Sequence, residues 1–562
     1  MTQYNSLKNQ VMLSYEDEDE KWHFVDSEPS SLTTTKLLEP SFEGSFDKKS
    51  IKYRIVALAR EGDRAIRKFG DESDFEAEEG KRFPAIPPAT PPSRLPKLVH
   101  NTNYLKLYHL QDRTFKRPIA ELRLQVHCAR ANENALFSAC SDLLVHLFSD
   151  AMTETAYLAS VCEIGSSISA NDSGLTLRVH GFDDKLESLF FDMLKLLLSF
   201  RGRSASDGLP PAIKTDRFDA CLEVYRRSCT NSGMKASALS KGVRIRCLRA
   251  NTQSANQKLK AVEHLTEKDF VETIASLLDK IGLECLYHGN VNIDDANRLK
   301  EGILQQLQDS ETPGLQRKKY PAQLVTRIPE STSTLTVPNK DPTDPNTAVE
   351  IYIQVGKDNL PERVMLDVLS ELLYEPMYDQ IRTKDQFGYS VSCDSRWTNG
   401  VMGMYFQVVT ASKTAKEATD RVDQFLRDHR KELENMTQEK FFEHTVGLAH
   451  HKLEMYNSLS EETSAFWSEI RDGRFAWEVN RDEAIHLSTI NKEEALKAYD
   501  KWLHPDNPRR RMLIIQVVSR FEESPASKGC PTIQDGGVGD FIDDAVSGFV
   551  KSCKGQTFGR IY

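Results

Sequence analysis

The sequence predicts an α+β fold laid down twice, as two homologous modules, each an antiparallel-rich sheet with helices packed on one face. Three observations lead there. The chain has 562 residues, too many for one core, since single cores stop growing near ~250 to 300 residues. A strand-like pattern, Glu-apolar-x-apolar-Gln-Val, occurs as ELRLQV at 121 to 126 and again as EIYIQV at 350 to 355, 229 residues later. That offset persists without a gap: DLLVHLFSDAM (142 to 152) falls on ELLYEPMYDQI (371 to 381), and GLTLRV (174 to 179) on GMYFQV (403 to 408). An internal repeat of this kind outranks any short motif as a guide to architecture.

The elements follow in order. Residues 1 to 95 are acidic and Ser-rich, and run into RFPAIPPATPPSRLP, whose prolines favour extended, semi-rigid backbone. They read as a largely irregular leader or linker with one ordered patch around IKYRIVALA. Residues 96 to 326 form the first predicted module and 327 to 562 the second. In the first, alternation predicts a strand at 121 to 126. Leu136, Cys140, Leu143, Leu144, Leu147 and Phe148 then recur at helical spacing, and a second strand follows at 174 to 179. Later, LTEKDFVETIASLL and INKEEALKAYDKWL each open on a cap-like residue, Thr266 or Asn491, with an acid three residues on, Asp269 or Glu494. ECLYHGNV (284 to 291) and MLIIQVVS (512 to 519) close the modules as strands. Strands and helices without regular βαβ alternation imply α+β.

Composition narrows the function. A hydrophobic share of 39% with 28% charged residues describes an ordinary globular chain, and a net charge of −10 argues against binding nucleic acid or anionic membrane. The N-terminus lacks the basic start and apolar run of a secretory signal. The most apolar helix-length stretch, 186 to 200, is interrupted by Glu187, Asp192 and Lys195 and is shorter than the ~20 residues that span a bilayer. Ten cysteines with no C-x-x-C pair suit reduced thiols, so a cytoplasmic location is expected.

Catalytic signatures are scarce. Zinc peptidases need H-E-x-x-H or H-x-x-E-H, and neither occurs. Glu263-His264 and Glu443-His444 have Lys260 and Lys440 where the first His would stand. His444, His450 and His451 read as partly exposed helix histidines, and His146 as a satisfied core histidine. DGGVGD (535 to 540) and NPRRRM (507 to 512) read as surface turns. No metal or cofactor site is expected in this chain.

What stands out is IRTKDQFGYSVSCDSRWTNG (381 to 400), which carries Arg382 and Tyr389. At the aligned positions of the first copy stand Thr153 and Ser160, so the shared fold does not require the pair. Arg is always charged and Tyr, with a pKa of ~10, keeps its proton, so both are donors suited to a peptide carbonyl or to the oxyanion formed on it. The plainer alternative is an Arg capping a helix C-terminus and a Tyr in a strand.

IRTKDQFGY closely resembles a signature in the last domain of the insulysin-like M16 zinc peptidases, with Asp385 and Phe387 in place of Glu and Leu. YLKLYHLQDRTFKRPIAELRLQV (104 to 126) resembles the entry to that family's third domain, LYEPMYDQIRTK (373 to 384) the start of the fourth, and HLSTINKEEALKAYDKWLHPDNPRRR (486 to 511) its closing part. The resemblance spans roughly residues 96 to 520. It implies a C-terminal half of third and fourth domains, one wall of a peptide-sized chamber, with Arg382 and Tyr389 reaching toward a bound peptide. It places the zinc and its H-x-x-E-H helix in an N-terminal half, either a partner chain or missing upstream sequence. The expected partners are that half and peptide substrates. A non-catalytic peptide-binding scaffold and a truncated reading of a longer gene are the alternatives. Where the family carries a lysine-rich segment after a long helix, this chain has MYNS (455 to 458).

Overall fold

A computed structural model describes residues 82–558 except 215, 250, 322, 534–536 and 554, together with three N-terminal strands, Val11–Glu16, Trp22–Phe24 and Lys52–Ala57. Those strands form a small antiparallel sheet with the first in the middle. The ordered patch expected near residue 51 coincides with the third strand, while the rest of the leader's acidic stretch lies outside the described residues.

The first module opens with β1 (Lys97–Asn101), β2 (Leu105–Gln111) and β3 (Ile119–Cys128). Helices α1 (Ala135–Ala151) and α2 (Thr153–Val161) lead to the hairpin β4 (Gly165–Asn171) and β5 (Gly174–Phe182). Five helices follow before the module closes: α3 (Leu186–Leu198), α4 (Arg217–Asn231), α5 (Ala236–Leu248), α6 (Ala255–Ala261) and α7 (Glu267–Leu277). Strand β6 (Ile281–Gly289) and helix α8 (Ile293–Asp309) end it.

The second module repeats this order with β7 (Thr332–Pro338), β8 (Thr347–Lys357), α9 (Leu360–Met377), β9 (Ser390–Thr398) and β10 (Val401–Thr410). Then come α10 (Ala415–Asn435), α11 (Gln438–Lys452), α12 (Leu459–Asp472), α13 (Val479–Leu487) and α14 (Lys492–Trp502). Strand β11 (Arg511–Val518) and α15 (Val538–Ser552) close it. The caps read from sequence hold: Thr266 with Asp269 and Asn491 with Glu494 form complete capping boxes on α7 and α14.

The sheets are mixed, each with a single parallel pair. Strand order is β1-β2-β6-β3-β5-β4 in the first and β7-β11-β8-β10-β9 in the second. β2 runs parallel to β6, and β7 to β11; the other pairings are antiparallel. Alternate residues of β8 face opposite sides, as a pleated strand requires. Val349, Ile351 and Ile353 pack against α9, α10 and α14, the module's own helices. Ala348 and Tyr352 face the other way, onto Leu239, Val243 and Cys247 of α5 and onto α15.

That second face is where the modules interlock. α5 belongs by sequence to the first copy yet covers the sheet of the second. Its counterpart α12, from the second copy, lays Phe466, Trp467 and Ile470 on Tyr108, Leu110 and Leu286 of the first sheet. Each exchanged helix also seals a buried glutamate, and these are the two that open the repeated pattern. Glu121 accepts from Arg178 (2.7 Å) and Arg123 (2.6 Å), which in turn donate to Ser460 and Ser464 of α12. Glu350, fully buried, accepts from Arg244 (2.5 Å) and Ser240 (2.9 Å) of α5. Burial alone would raise the Glu121 carboxyl. The Arg178 hydrogen bond and the Arg123 charge outweigh it and hold the group below the usual range. The Pro-rich segment adds a strap: Arg481 donates to the Pro87 carbonyl (2.9 Å) and the Thr90 amide to Glu478 (2.6 Å).

At the same interface His288 of β6 is fully buried, with Nδ1 2.8 Å from the Thr463 hydroxyl. That hydroxyl gives its own proton to the Leu459 carbonyl (2.7 Å), so His288 Nδ1 must donate and Nε2 is left as an acceptor. Glu462 stands 3.5 Å from Nε2. Burial pushes the imidazole down to about 3 and the Glu462 carboxyl up to about 7, helped by Asp112.

Two outcomes follow from this interface. Glu350→Ala strands the buried Arg244 guanidinium and should cost about 3 to 5 kcal/mol in urea unfolding, whereas Asp420→Ala, at the exposed Lys416–Asp420 pair, should change stability by less than about 1 kcal/mol. Glu462 has a raised folded pKa, so its favourable contribution is complete below its unfolded value of 4.5 and is lost as pH rises through about 7. Glu462→Gln keeps a donor for His288 and removes that loss. Its stability gain over wild type should be near zero at pH 4, grow with pH and level off above about 7, on the order of 2 to 3 kcal/mol.

Candidate functional site

α9 starts on an Asn359 cap and contains Pro376 near its end. Pro376 has no amide to give the helix ladder and its ring crowds the preceding turn. Beyond it, Tyr378–Lys384 winds as a wider π-helical turn. Arg382 sits on this turn, half-buried, its guanidinium 4.7 Å above the Tyr378 ring. Its Nε is buried without a hydrogen-bond partner, and no carboxylate among the described residues pairs with it. Nor does it bond a helix carbonyl among those residues, so the capping alternative has no geometric support.

The following loop is pinned almost everywhere. The Asp385 amide donates to Gln380 O (2.9 Å), and its carboxylate accepts from Gln380 Nε2 (2.9 Å) and Arg421 Nε (2.6 Å). The Phe387 amide donates to Ile381 O (3.1 Å), and its ring is buried in the second core. A Cβ on Gly388 would lie 1.9 Å from Val409 O, so the loop passes too close to β10 for any other residue. Tyr389, the last residue before β9, is 93% exposed. It is a ring left in solvent at the end of an immobilised loop.

Tyr374 and Tyr378 are two side chains that the sequence reading passed over. Both are exposed, and with Arg382 they recur every four residues, a spacing visible in YEPMYDQIR. In the first copy, Thr153 and Ser160 lie on α2 and donate to Ser149 O (3.0 Å) and Tyr157 O (2.7 Å), spending their hydroxyls on helix carbonyls.

The other candidates resolve differently. His146 is half-buried on a cavity wall rather than in the core. His444 lies 3.9 Å from Glu371 and holds that carboxyl below its usual range, and His451 is exposed beside Glu454. NPRRRM is not a solvated turn: Arg510 is buried and grips the Leu503 and Pro505 carbonyls at 3.1 and 3.3 Å. Part of DGGVGD falls outside the described residues. All ten cysteines are free thiols, and Cys162 alone among them is exposed.

Residues 72–261 match the family model for the middle or third domain of peptidase M16, and residues 368–467 match domain 4 of the C-terminal lobe of PqqF-like PQQ synthases. A nardilysin-like protein of Arabidopsis thaliana is 27% identical over 426 residues, covering 75% of this chain and 40% of its own. Human insulin-degrading enzyme is 26% identical over 518 residues, covering 88% of this chain and 48% of its own. The chain is similar to M16 peptidases over most of its length. It spans about half the length of the curated relatives it matches.

Solved M16 structures share the fold. Pitrilysin superposes with a TM-score of 0.67 at 17% identity, over 80% of this chain and 46% of its own. A peptidase M16 inactive domain from Pseudomonas fluorescens gives 0.56 at 11%, over 79% of this chain and 99% of its own. The zinc that the M16 family implies does not fit the residues described here, because no three His, Cys, Asp or Glu side chains converge among them.

The Gly388 cradle gives a direct test. Gly388→Ala should destabilise the second module by about 2 kcal/mol or more, since Val409 is backbone and cannot step aside. Thermal unfolding and faster proteolysis at 385–389 would register it.

Proposed function

We propose that this chain is the substrate-binding, chamber-forming half of an insulysin-like zinc metalloendopeptidase, active when joined to a zinc-bearing N-terminal half. In this reading Tyr389 donates its phenolic hydrogen bond to the oxyanion that forms on the scissile carbonyl. Arg382, steadied by the Tyr378 ring, holds a neighbouring backbone carbonyl of the peptide. The observation that carries it is the combination of a fully exposed Tyr389 with a loop pinned on both sides. Such a donor is held in place before substrate arrives, and preorganised donors act most strongly where charge develops.

The two residues should differ kinetically. Tyr389 acts on charge that exists only in the transition state, so its loss falls on kcat. Arg382 contacts the ground state too, so its loss also raises KM.

Mixing the purified chain with the zinc-bearing N-terminal half of an insulysin-like enzyme should restore cleavage of a quenched fluorescent peptide. Tyr389→Phe should then lower kcat by about 10²- to 10³-fold while leaving the unfolding midpoint unchanged. Equal turnover with Phe at 389 would remove the oxyanion role, and failure of the wild-type chain to restore any cleavage would remove the half-enzyme reading.

A further inference from the structure

The four sheet edges of the two modules are not alike. β1 carries Lys97 and His100 and a bulge between Leu98 and His100. β7 ends in Pro338 and packs against α15. β9 carries Asp394 and Arg396, and its helix is tied to it: Ser370 donates to Asp394 (3.2 Å) and Ser395 to Asp367 (3.2 Å). Charges, prolines, bulges and covering elements are the usual means of keeping an edge from pairing. β4, with the sequence GSSISAN, has no charge, no proline and no bulge, and no hydrogen bond joins it to α1 among the described residues.

The register says which groups it offers. Asn171 pairs with Gly174 across a two-residue turn, so the hydrogen-bonded pairs are 171/174, 169/176, 167/178 and 165/180. Ser166, Ile168 and Ala170 therefore turn their N–H and C=O groups away from β5, and no hydrogen bond from a described residue reaches them. These groups repeat every second residue, about 6.8 Å apart. Only another extended chain presents complementary groups at that spacing.

Beside this edge, between α1, α4 and β4, lies a cavity of about 450 Å³. Ile168 and Ala170 form one wall and Val145 and Cys229 contribute to the others. Its two charges are spent on each other, because Lys258 donates to Asp142 (2.8 Å), which also accepts from Tyr225 (3.1 Å). The cavity thus favours a bulky uncharged side chain. α2, which packs against β4, leaves Tyr157, Leu158 and Val161 about two-thirds exposed, an apolar surface that α2 shares with no described partner.

We propose that the free edge of β4 is a docking site for an extended peptide segment, which adds as a further strand and places one bulky uncharged side chain in the cavity between α1 and β4. It goes beyond the clamp assigned to Arg382 and Tyr389, being on the other module and needing neither residue. Its occupant pairs through main chain to Ser166, Ile168 and Ala170, so affinity comes from backbone and selectivity from one pocket.

The test uses the full chain and a short fluorescein-labelled peptide of alternating Ser and Phe, read by anisotropy and by hydrogen exchange. Wild type should bind it, with exchange slowed at residues 165–171. Ala170→Pro removes one outward amide at an edge position where proline is tolerated, and Val145→Trp fills the cavity. Each should weaken binding by about tenfold or more with an unchanged unfolding midpoint, while Tyr389→Phe should leave it intact. The site is overturned if the wild-type chain does not bind the peptide at all, if protection maps outside 165–171, or if both variants bind as wild type does. Loss of binding in Tyr389→Phe would also overturn it, by assigning the peptide to the clamp.

Discussion

The structure hangs on two buried carboxylates, Glu121 and Glu350, each sealed by the other module's helix. A buried charge is tolerable only if paired and hydrogen-bonded, and here part of that satisfaction comes from across the module boundary. Neither sheet covers its second face without a helix of the other module, α12 on the first and α5 beside the module's own α15 on the second, so the exchange makes the pair one folding unit. The two networks are also not interchangeable. Over Glu121 the cations, Arg123 and Arg178, stand on the sheet and the helix supplies serines. Over Glu350 the cation, Arg244, comes from the helix, while the sheet supplies Gln407 at the position aligned with Arg178. An arginine-bearing helix laid over Glu121 would meet two arginines already there, and a serine-bearing helix over Glu350 would leave it without a cation. Each helix is thereby matched to one sheet, a discrimination that rests as much on the mismatch avoided as on the contact made.

This explains how far the sequence could be read. The repeat, the strand and helix types and the caps at Thr266 and Asn491 depend on local pattern, and local pattern is what a sequence displays. The exchange does not. The apolar stripe of α12 announces that it will cover something, but not that it covers the other copy's sheet. Glu121 and Glu350 were visible as markers of the repeat, yet a glutamate in an alternating strand normally reads as solvent-facing. Arg382 and Tyr389 stood out because only one copy has them. Tyr374 and Tyr378 escaped because tyrosines at helical spacing usually mark a core face, and only exposure shows otherwise. His146 was misplaced for a related reason: periodicity assigns a face but cannot see a cavity on it.

The two copies part company where the chain leaves its first long helix and returns as an edge strand. In the first, α2 is a regular helix whose hydroxyls bond their own backbone, and the groove between α1 and β4 stays open. In the second, Pro376, the π-helical turn and the Gly388 crossing replace that helix, and hydrogen bonds from Ser370 and Ser395 close the space between α9 and β9. Irregular backbone costs stability, so its concentration at this place needs a return. Here it lifts one phenol out of the surface on a frame that cannot yield.

The value of that frame is entropic. A tyrosine on a loose loop would lose its freedom at the moment of binding, and the ordering cost would be subtracted from the affinity of whatever it met. With Asp385 bridged twice, Phe387 buried and Gly388 pressed against Val409, the loop is ordered during folding, when the second core supplies the free energy. The same logic separates the two modules' proposed roles. An open strand edge binds any extended chain through its main chain and can tolerate sequence variation in it. A pinned phenol and a stacked guanidinium must be met at one geometry. A long peptide gripped at the first and addressed at the second would be held broadly and handled locally, which requires the two modules to keep a fixed relation, and the sealed glutamates are what fix it.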